Sequence, residues 1–415
     1  MTAAVFYFQV HQPYRLRRRD AARSGTSEHD YFDTAENTRI LRRVAERCYV
    51  PMNTLLLELI DRHEGAFRCT FSISGTALQQ LEAWAPEALD TFVRLAESGA
   101  VEFLAETSHH SLASLGSEDE FRAQATAQRA RIEQLFGQRP RVFRNTELIV
   151  SNAIGTMVEE LGFDAILGEG AESILDGRTP HNVYGLQGCE HLAMLLRDYR
   201  FSDDIAFRFS NRDWPHYPLM ADTFASWLGQ VPEDDSFVGL FMDYETFGEH
   251  QGPETGLFDF MRWLPRYVLE GSAASFATPS EIVDRHRPTT KLDIPRPTSW
   301  ADAERDVSAW LGNPMQRTAH ESLYALRPHV GKDPELLEDW RRLSTSDHVY
   351  YMCTKQRSDG DVHEYFSPYY SPQDAFVLFM RALDDLQIRA GLSRSPRQNP
   401  ARRDRRAQRR SRRAP

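Results

Sequence analysis

Seven short segments rich in aromatic and β-branched residues recur along the first 243 residues, and helical stretches separate them. This alternation constrains the fold more than any other feature of the chain. Strands joined by helices must run parallel, because a crossover of a dozen residues or more returns the chain to the same edge of the sheet. The segments cover residues 5–10, 67–72, 101–105, 141–145, 164–167, 191–196 and 237–242. The last of them, Phe237-Val238-Gly239-Leu240-Phe241-Met242, is apolar on both faces, as a strand covered on both sides must be. Residues 34–63 read as a long helix broken near Pro51, and residues 118–136 as an amphipathic helix. Seven such βα units imply an open parallel sheet or a barrel.

Beyond residue 285 the pattern changes. Pro288, Pro295 and Pro297 mark a linker, and helical stretches follow over 303–311, 315–326, 334–343 and 372–390. The expected division is therefore a βα domain over 1–285, a helical domain over 286–392 and an Arg-rich tail over 393–415. The tail lacks apolar side chains beyond three alanines and its prolines and is expected to be disordered. Charge follows the same division. The chain carries 49 basic and 60 acidic residues, a net −11, yet the tail holds 10 Arg and one acid. Without it the body stands at −20, so a nucleic-acid groove is not expected, since that needs clustered cations on the folded domain. No apolar run approaches the roughly 18 residues of a membrane span. Cys48, Cys69, Cys189 and Cys353 are far apart, with no metal-type spacing, and no signal-peptide pattern opens the chain. The expected location is the cytoplasm.

Chemistry collects where strands end. The first runs into His11-Gln12-Pro13, the third into Glu106-Thr107-Ser108-His109-His110, the fourth into Asn145-Thr146-Glu147, and the seventh into Asp243-Tyr244-Glu245. In a βα barrel those ends share one face and form the active site. Two reactions use such groups. Glycoside hydrolysis needs one ionised carboxylate and one carboxyl kept protonated, and Glu147 and Asp243 stand on different strands that can flank a sugar. Metal-assisted hydrolysis, as in a polysaccharide deacetylase, needs three ligands around an open position, for which His11, His109, His110, His250 and Asp243 are available. The chain has no HxH, HxD or HExxH spacing, and on extended backbone His109 and His110 would face opposite ways. No metal or other cofactor is therefore expected.

His11-Gln12-Pro13, the 106–110 segment, Phe143-Arg144-Asn145-Thr146-Glu147-Leu148 and Phe241-Met242-Asp243-Tyr244-Glu245 resemble, in order and placement, the first four conserved regions of glycoside hydrolase family 57. The stretch from Trp300 through Asp306 and Trp310 to Asn313 is similar to the fifth. The resemblance covers about residues 1–390 and is closest to the short α-amylase-like branch. It implies an α/β fold, an incomplete parallel (β/α)7 barrel followed by a helical domain that contributes to the cleft. It also implies a retaining enzyme acting on α-1,4-glucans such as glycogen, starch or maltodextrin. By position Glu147 matches the nucleophile and Asp243 the general acid/base. His11, Glu106, Glu245, Trp300, Asp306 and Trp310 are the expected substrate-binding residues. Within the same family the alternatives are a 4-α-glucanotransferase and a 1,4-α-glucan branching enzyme.

Overall fold

The computed structural model describes residues 2–18, 31–232, 234–271, 274–288, 290–355 and 367–392. The expected tail at 393–415 lies outside them. Ten strands are described: β1 (Thr2–Val10), β2 (Cys69–Ile73), β3 (Val101–Phe103), β4 (Val142–Arg144), β5 (Ala165–Glu169), β6 (Tyr184–Leu186), β7 (Ala193–Arg197), β8 (Phe237–Asp243), β9 (Ala274–Phe276) and β10 (Lys291–Leu292). Seven of them correspond to the expected segments. The other three are two or three residues long, too short to show a pattern in sequence.

The seven strands form a ring of parallel neighbours, β1–β2–β3–β4–β5–β7–β8 and back to β1. Two seams are thin. β3 reaches β4 through the single bridge Ala105–Phe143, and β7 meets β8 at Arg197–Gly239. Carried round the ring from Val10, the register arrives level with Ser236 on β8, whereas Val10 itself lies level with Tyr244. That stagger of eight residues tilts the strands and gives the sheet the shape of a barrel. β6 and β10 extend it beyond β7, with β6 antiparallel to β7 and β10 parallel to β6, so the sheet continues past residue 285.

Period-two alternation sorts the strand side chains into two layers. Ala4, Phe6, Phe8 and Val10 join Val238, Leu240 and Met242 in a core under the helices. Ala3, Val5 and Tyr7 face inward with Val142, Ala165, Leu167, Ala193, Leu195, Phe237 and Phe241. The same inward face ends at Gln9, Arg144, Glu169, Arg197 and Asp243. The barrel is therefore filled with hydrocarbon along its length and turns polar at the carboxyl ends of its strands.

The helix expected to break near Pro51 does not break. Residues Thr34–Val44 and Val50–Arg62 are joined by the π-turn Ala45–Tyr49, and Pro51 sits in the first turn after that wider turn. The C-terminal helices, chiefly Pro314–Val330, Pro334–Leu343 and Pro372–Arg389, pack Leu323, Trp340, Phe379 and Leu383 onto Tyr14, Tyr31 and Phe32 from the chain after β1. Bridges Ser111–Thr345 and Val150–Thr298 tie this helical region to the barrel's carboxyl face.

The β7–β8 seam predicts a sensitive glycine. A Cβ on Gly239 would meet the Leu196 carbonyl oxygen at 2.3 Å, whereas one on Gly271 would meet nothing within 4 Å. Gly239→Ala should therefore destabilise by about 1–3 kcal/mol, seen as a lower urea midpoint. Gly271→Ala should leave the midpoint unchanged or raise it.

Candidate active site

Glu147 leaves β4 in a left-handed conformation, φ 57° and ψ 29°, and Leu148 follows at φ 50°. Such geometry costs a non-glycine residue about 1–2 kcal/mol and persists only where its surroundings hold it. They do so here at main chain and side chain. The Glu147 carbonyl accepts from Ser299 Oγ at 2.9 Å and from the Trp300 N–H at 3.3 Å. Its carboxylate Oε2 accepts from Trp300 Nε1 at 2.7 Å, and Oε1 lies 3.2 Å from His110 Nε2 and 3.5 Å from Ser346 Oγ.

His110 links two carboxylates. Its Nδ1 lies 2.9 Å from Glu106 Oε2, and Glu106 also accepts from Gln9 Nε2 at 3.1 Å. Burial opposes a charge on this imidazole, but the hydrogen bonds and charges of Glu106 and Glu147 outweigh it and raise His110 to about 9. The ring is thus an imidazolium at neutral pH. His11 stacks on it with centroids 4.0 Å apart. Burial and the His110 charge push His11 downward, while Asp347 at 2.9 Å and Ser74 at 2.7 Å fix its ring. His109 turns away and lies 3.3 Å from Glu338.

The two expected catalytic carboxyls are driven apart in acidity. Burial would raise Glu147, but the His110 hydrogen bond and charge, the Arg144 charge and the Trp300 N–H hold it below the ordinary carboxylate range. Asp243 is raised to about 6, first by burial and then by the Glu147 charge. Two residues on, Glu245 is pushed up to about 8 by burial and by Asp243, and its Oε1 accepts from Tyr49 Oη at 2.5 Å. Glu147 is therefore held towards its ionised form while Asp243 and Glu245 keep their protons to higher pH than ordinary carboxyls, the division that acid–base chemistry at a single bond needs.

Of the expected site residues, the structure brings Glu147, Asp243, His11, Glu106, Glu245 and Trp300 into one cluster. Glu106 is wholly buried and addresses His110 rather than the cleft. Two expected residues are not brought there. Trp310 is 1% exposed, a core side chain whose ring centroid lies 6.0 Å from that of Tyr350. Asp306 is exposed and caps the Ser308 N–H at 2.8 Å. The structure adds Arg144, wholly buried with its guanidinium 4.9 Å from the Trp300 ring, and Arg197, which donates to the Phe241 carbonyl at 2.8 Å and pairs with Glu169 and Asp203. It also adds Asp347, from the five-residue helix Ser346–Tyr350. Inward alternation along β4, β5 and β7 marks Arg144, Glu169 and Arg197 in the sequence, but no pattern marks Asp347. Among the described residues, no three His, Cys, Asp or Glu side chains are grouped as a metal ion would require.

Comparison with known proteins bears on the chain and its fold. The model of glycosyl hydrolase family 57 matches residues 5–295. The chain is 42% identical over 395 residues to a Methanocaldococcus jannaschii protein named "Putative alpha-amylase", covering 92% of this chain and 83% of that one. Its fold is similar to the 4-α-glucanotransferase of Thermococcus litoralis, with TM-score 0.71 and 14% identity over 93% of this chain; the chain spans 60% of that enzyme's length. It is also similar to a branching enzyme of Thermococcus kodakaraensis, with TM-score 0.65, 14% identity and coverage of 94% and 90%. The α-amylase AmyC of Thermotoga maritima gives TM-score 0.61, 14% identity and 94% coverage of each chain.

The electrostatic coupling at the site is directly measurable. Glu147→Gln removes the negative charge that helps raise Asp243, so the Asp243 carboxyl should titrate lower in the variant than in the wild type, read by carbon NMR. An unchanged Asp243 would show that burial alone sets it.

Proposed function

The chain belongs to glycoside hydrolase family 57, and from that premise we propose that it is a retaining α-amylase-type enzyme acting on α-1,4-linked glucans such as glycogen, starch or maltodextrin. The carrying observation is the opposed acidity of Glu147 and Asp243 at the ends of β4 and β8. In this reading Glu147 attacks the anomeric carbon. Asp243 gives its proton to the departing glycosidic oxygen, then takes one from the water that releases the glycosyl ester. His110, as imidazolium, keeps Glu147 ionised. His11, side chain 11% exposed and held by Ser74 and Asp347, is placed to meet a sugar hydroxyl. Glu245, two residues beyond Asp243, is itself raised by burial and by the Asp243 charge. The expected boundary near residue 285 separates the part that carries the carboxyls from the part that carries Trp300, Ser346 and Asp347, so both parts are needed for turnover. No described helix is long and apolar enough to cross a membrane, in keeping with a dissolved glucan as substrate.

Maltoheptaose turnover tests the reading. Glu147→Gln and Asp243→Asn should each lower kcat by about 10³-fold or more while circular dichroism stays that of the wild type. Full activity in Glu147→Gln would refute the assignment. Only shorter products identify hydrolysis, and longer products identify glucan transfer. The pH profile follows from the two carboxyls. kcat/KM should fall as pH rises through about 6, where Asp243 loses the proton it must donate. It should persist on the acid side to below the ordinary carboxylate range, because Glu147 stays ionised there.

A further inference from the structure

Trp300 was expected among the substrate-binding residues. Its contacts suggest a different task. Two successive residues grip Glu147 from the helical side: Ser299 Oγ and the Trp300 N–H bind the Glu147 carbonyl, and the indole N–H binds Oε2 at 2.7 Å. The two carboxylate oxygens are held unequally, since Oε1 has its donors at 3.2 and 3.5 Å. The indole is itself fixed. The guanidiniums of Arg144 and Arg197 lie over its ring at 4.9 and 5.7 Å, and the Trp300 carbonyl accepts from Arg305. Both guanidiniums are buried, Arg197 paired with Glu169 and Asp203 and Arg144 3.9 Å from Glu106, so cations already stand against the indole ring.

We propose that Trp300 is a positioning residue for the nucleophile: its indole N–H holds Glu147 Oε2 as the non-attacking oxygen and leaves Oε1 to form the glycosyl ester. This rests on the retaining reading above. In the first step an Oε1 lone pair forms the bond to the anomeric carbon. The bond from that carbon to the departing oxygen breaks, and its electron pair stays on that oxygen, which takes the Asp243 proton. Oε2 becomes the ester carbonyl oxygen and keeps the indole N–H. In the second step water bonds to the anomeric carbon and gives a proton to Asp243. The electron pair of the carbon–Oε1 bond returns to Glu147. A donor fixed on Oε2 serves both steps, because that oxygen bears the shared charge whenever the ester forms or breaks. It also orients a carboxylate whose backbone has no intrinsic preference for its conformation.

Three variants separate this role from sugar stacking. Trp300→Phe keeps an aromatic face and loses the N–H. Trp300→His restores a ring N–H at the corresponding position of a five-membered ring. Trp300→Ala removes both. With maltoheptaose, Trp300→Phe should lower kcat by about 10–100-fold, the range for one hydrogen bond to a charged group. Its KM should stay within about twofold, the acid limb of kcat/KM should move to higher pH, and Trp300→His should recover part of kcat. Wild-type kinetics in Trp300→Phe, with KM raised in Trp300→Ala, would overturn the proposal in favour of stacking. If the wild type does not turn over maltoheptaose, the functional reading fails and the positioning claim is still decided by the titration of the Glu147 carboxyl by NMR. An upward shift in Trp300→Phe supports the hydrogen bond's role, and no shift overturns it.

Discussion

Carboxylates buried side by side repel, and burial of each charge costs several kcal/mol unless cations or protons compensate it. The carboxyl face of this barrel is organised around that constraint. Glu106, Glu147, Asp243, Glu245, Glu169 and Asp347 all stand in or beside the inward polar layer. Two of them are balanced by the His110 imidazolium, and Glu169 by Arg197. Asp243, Glu169 and Glu245 are raised to about 6, 7 and 8 and so retain protons into the range where ordinary carboxyls have lost them. Arg144 supplies a wholly buried positive charge, 3.9 Å from Glu106. The acid–base pair is thus one outcome of distributing few cations among many carboxyls. Glu147, with its donors and the His110 and Arg144 charges, and Asp347, beside His11, are held below the normal range.

This distribution depends on contacts between the barrel and the helical region. Asp347 fixes His11, which stacks on His110. The Ser346 N–H donates to the His110 carbonyl at 2.9 Å, and Thr345 Oγ1 donates to that of His109 at 3.0 Å. The left-handed backbone of His110, φ 49°, is held in this way. The helices complete the positions of side chains whose own strands leave them strained, and they bring Trp300 to Glu147.

Much of this was legible in the sequence, for reasons particular to each residue. A polar residue directly after an apolar strand marked His11, Glu106, Glu147 and Asp243, and the parallel order put those ends on one face. Family regions located Glu147 and Asp243 more sharply than pattern alone. That Trp310 lies apart from the cluster was not legible, because motif position does not reveal which side of a four-residue helix, Ser308–Leu311, meets the core, and Asp306 precedes that helix as an exposed cap. Arg197 and Glu169 were readable by alternation but hidden by the expectation that buried strands are apolar. Asp347 was not readable, since its role comes from tertiary packing across more than 330 residues. The π-turn was equally hidden, because one extra residue in a turn leaves the amphipathic pattern nearly unchanged.

That π-turn has a specific consequence for the acid. Ala45–Tyr49 lies against the loop after β8, with Cys48 Sγ 3.1 Å from the Tyr244 carbonyl and Tyr49 Oη on Glu245. The approach is so close that Gly248, at φ 102°, has no room for a Cβ, which would meet the Arg47 carbonyl at 2.1 Å. An ordinary α-turn would rotate Tyr49 away by the angle of one residue, roughly 100°. Glu245 would then lose its phenol donor in a buried setting. A wider turn is therefore the means by which a distant helix reaches the carboxyl two residues beyond Asp243, and it links the local backbone of the first long helix to the proton held at the end of β8.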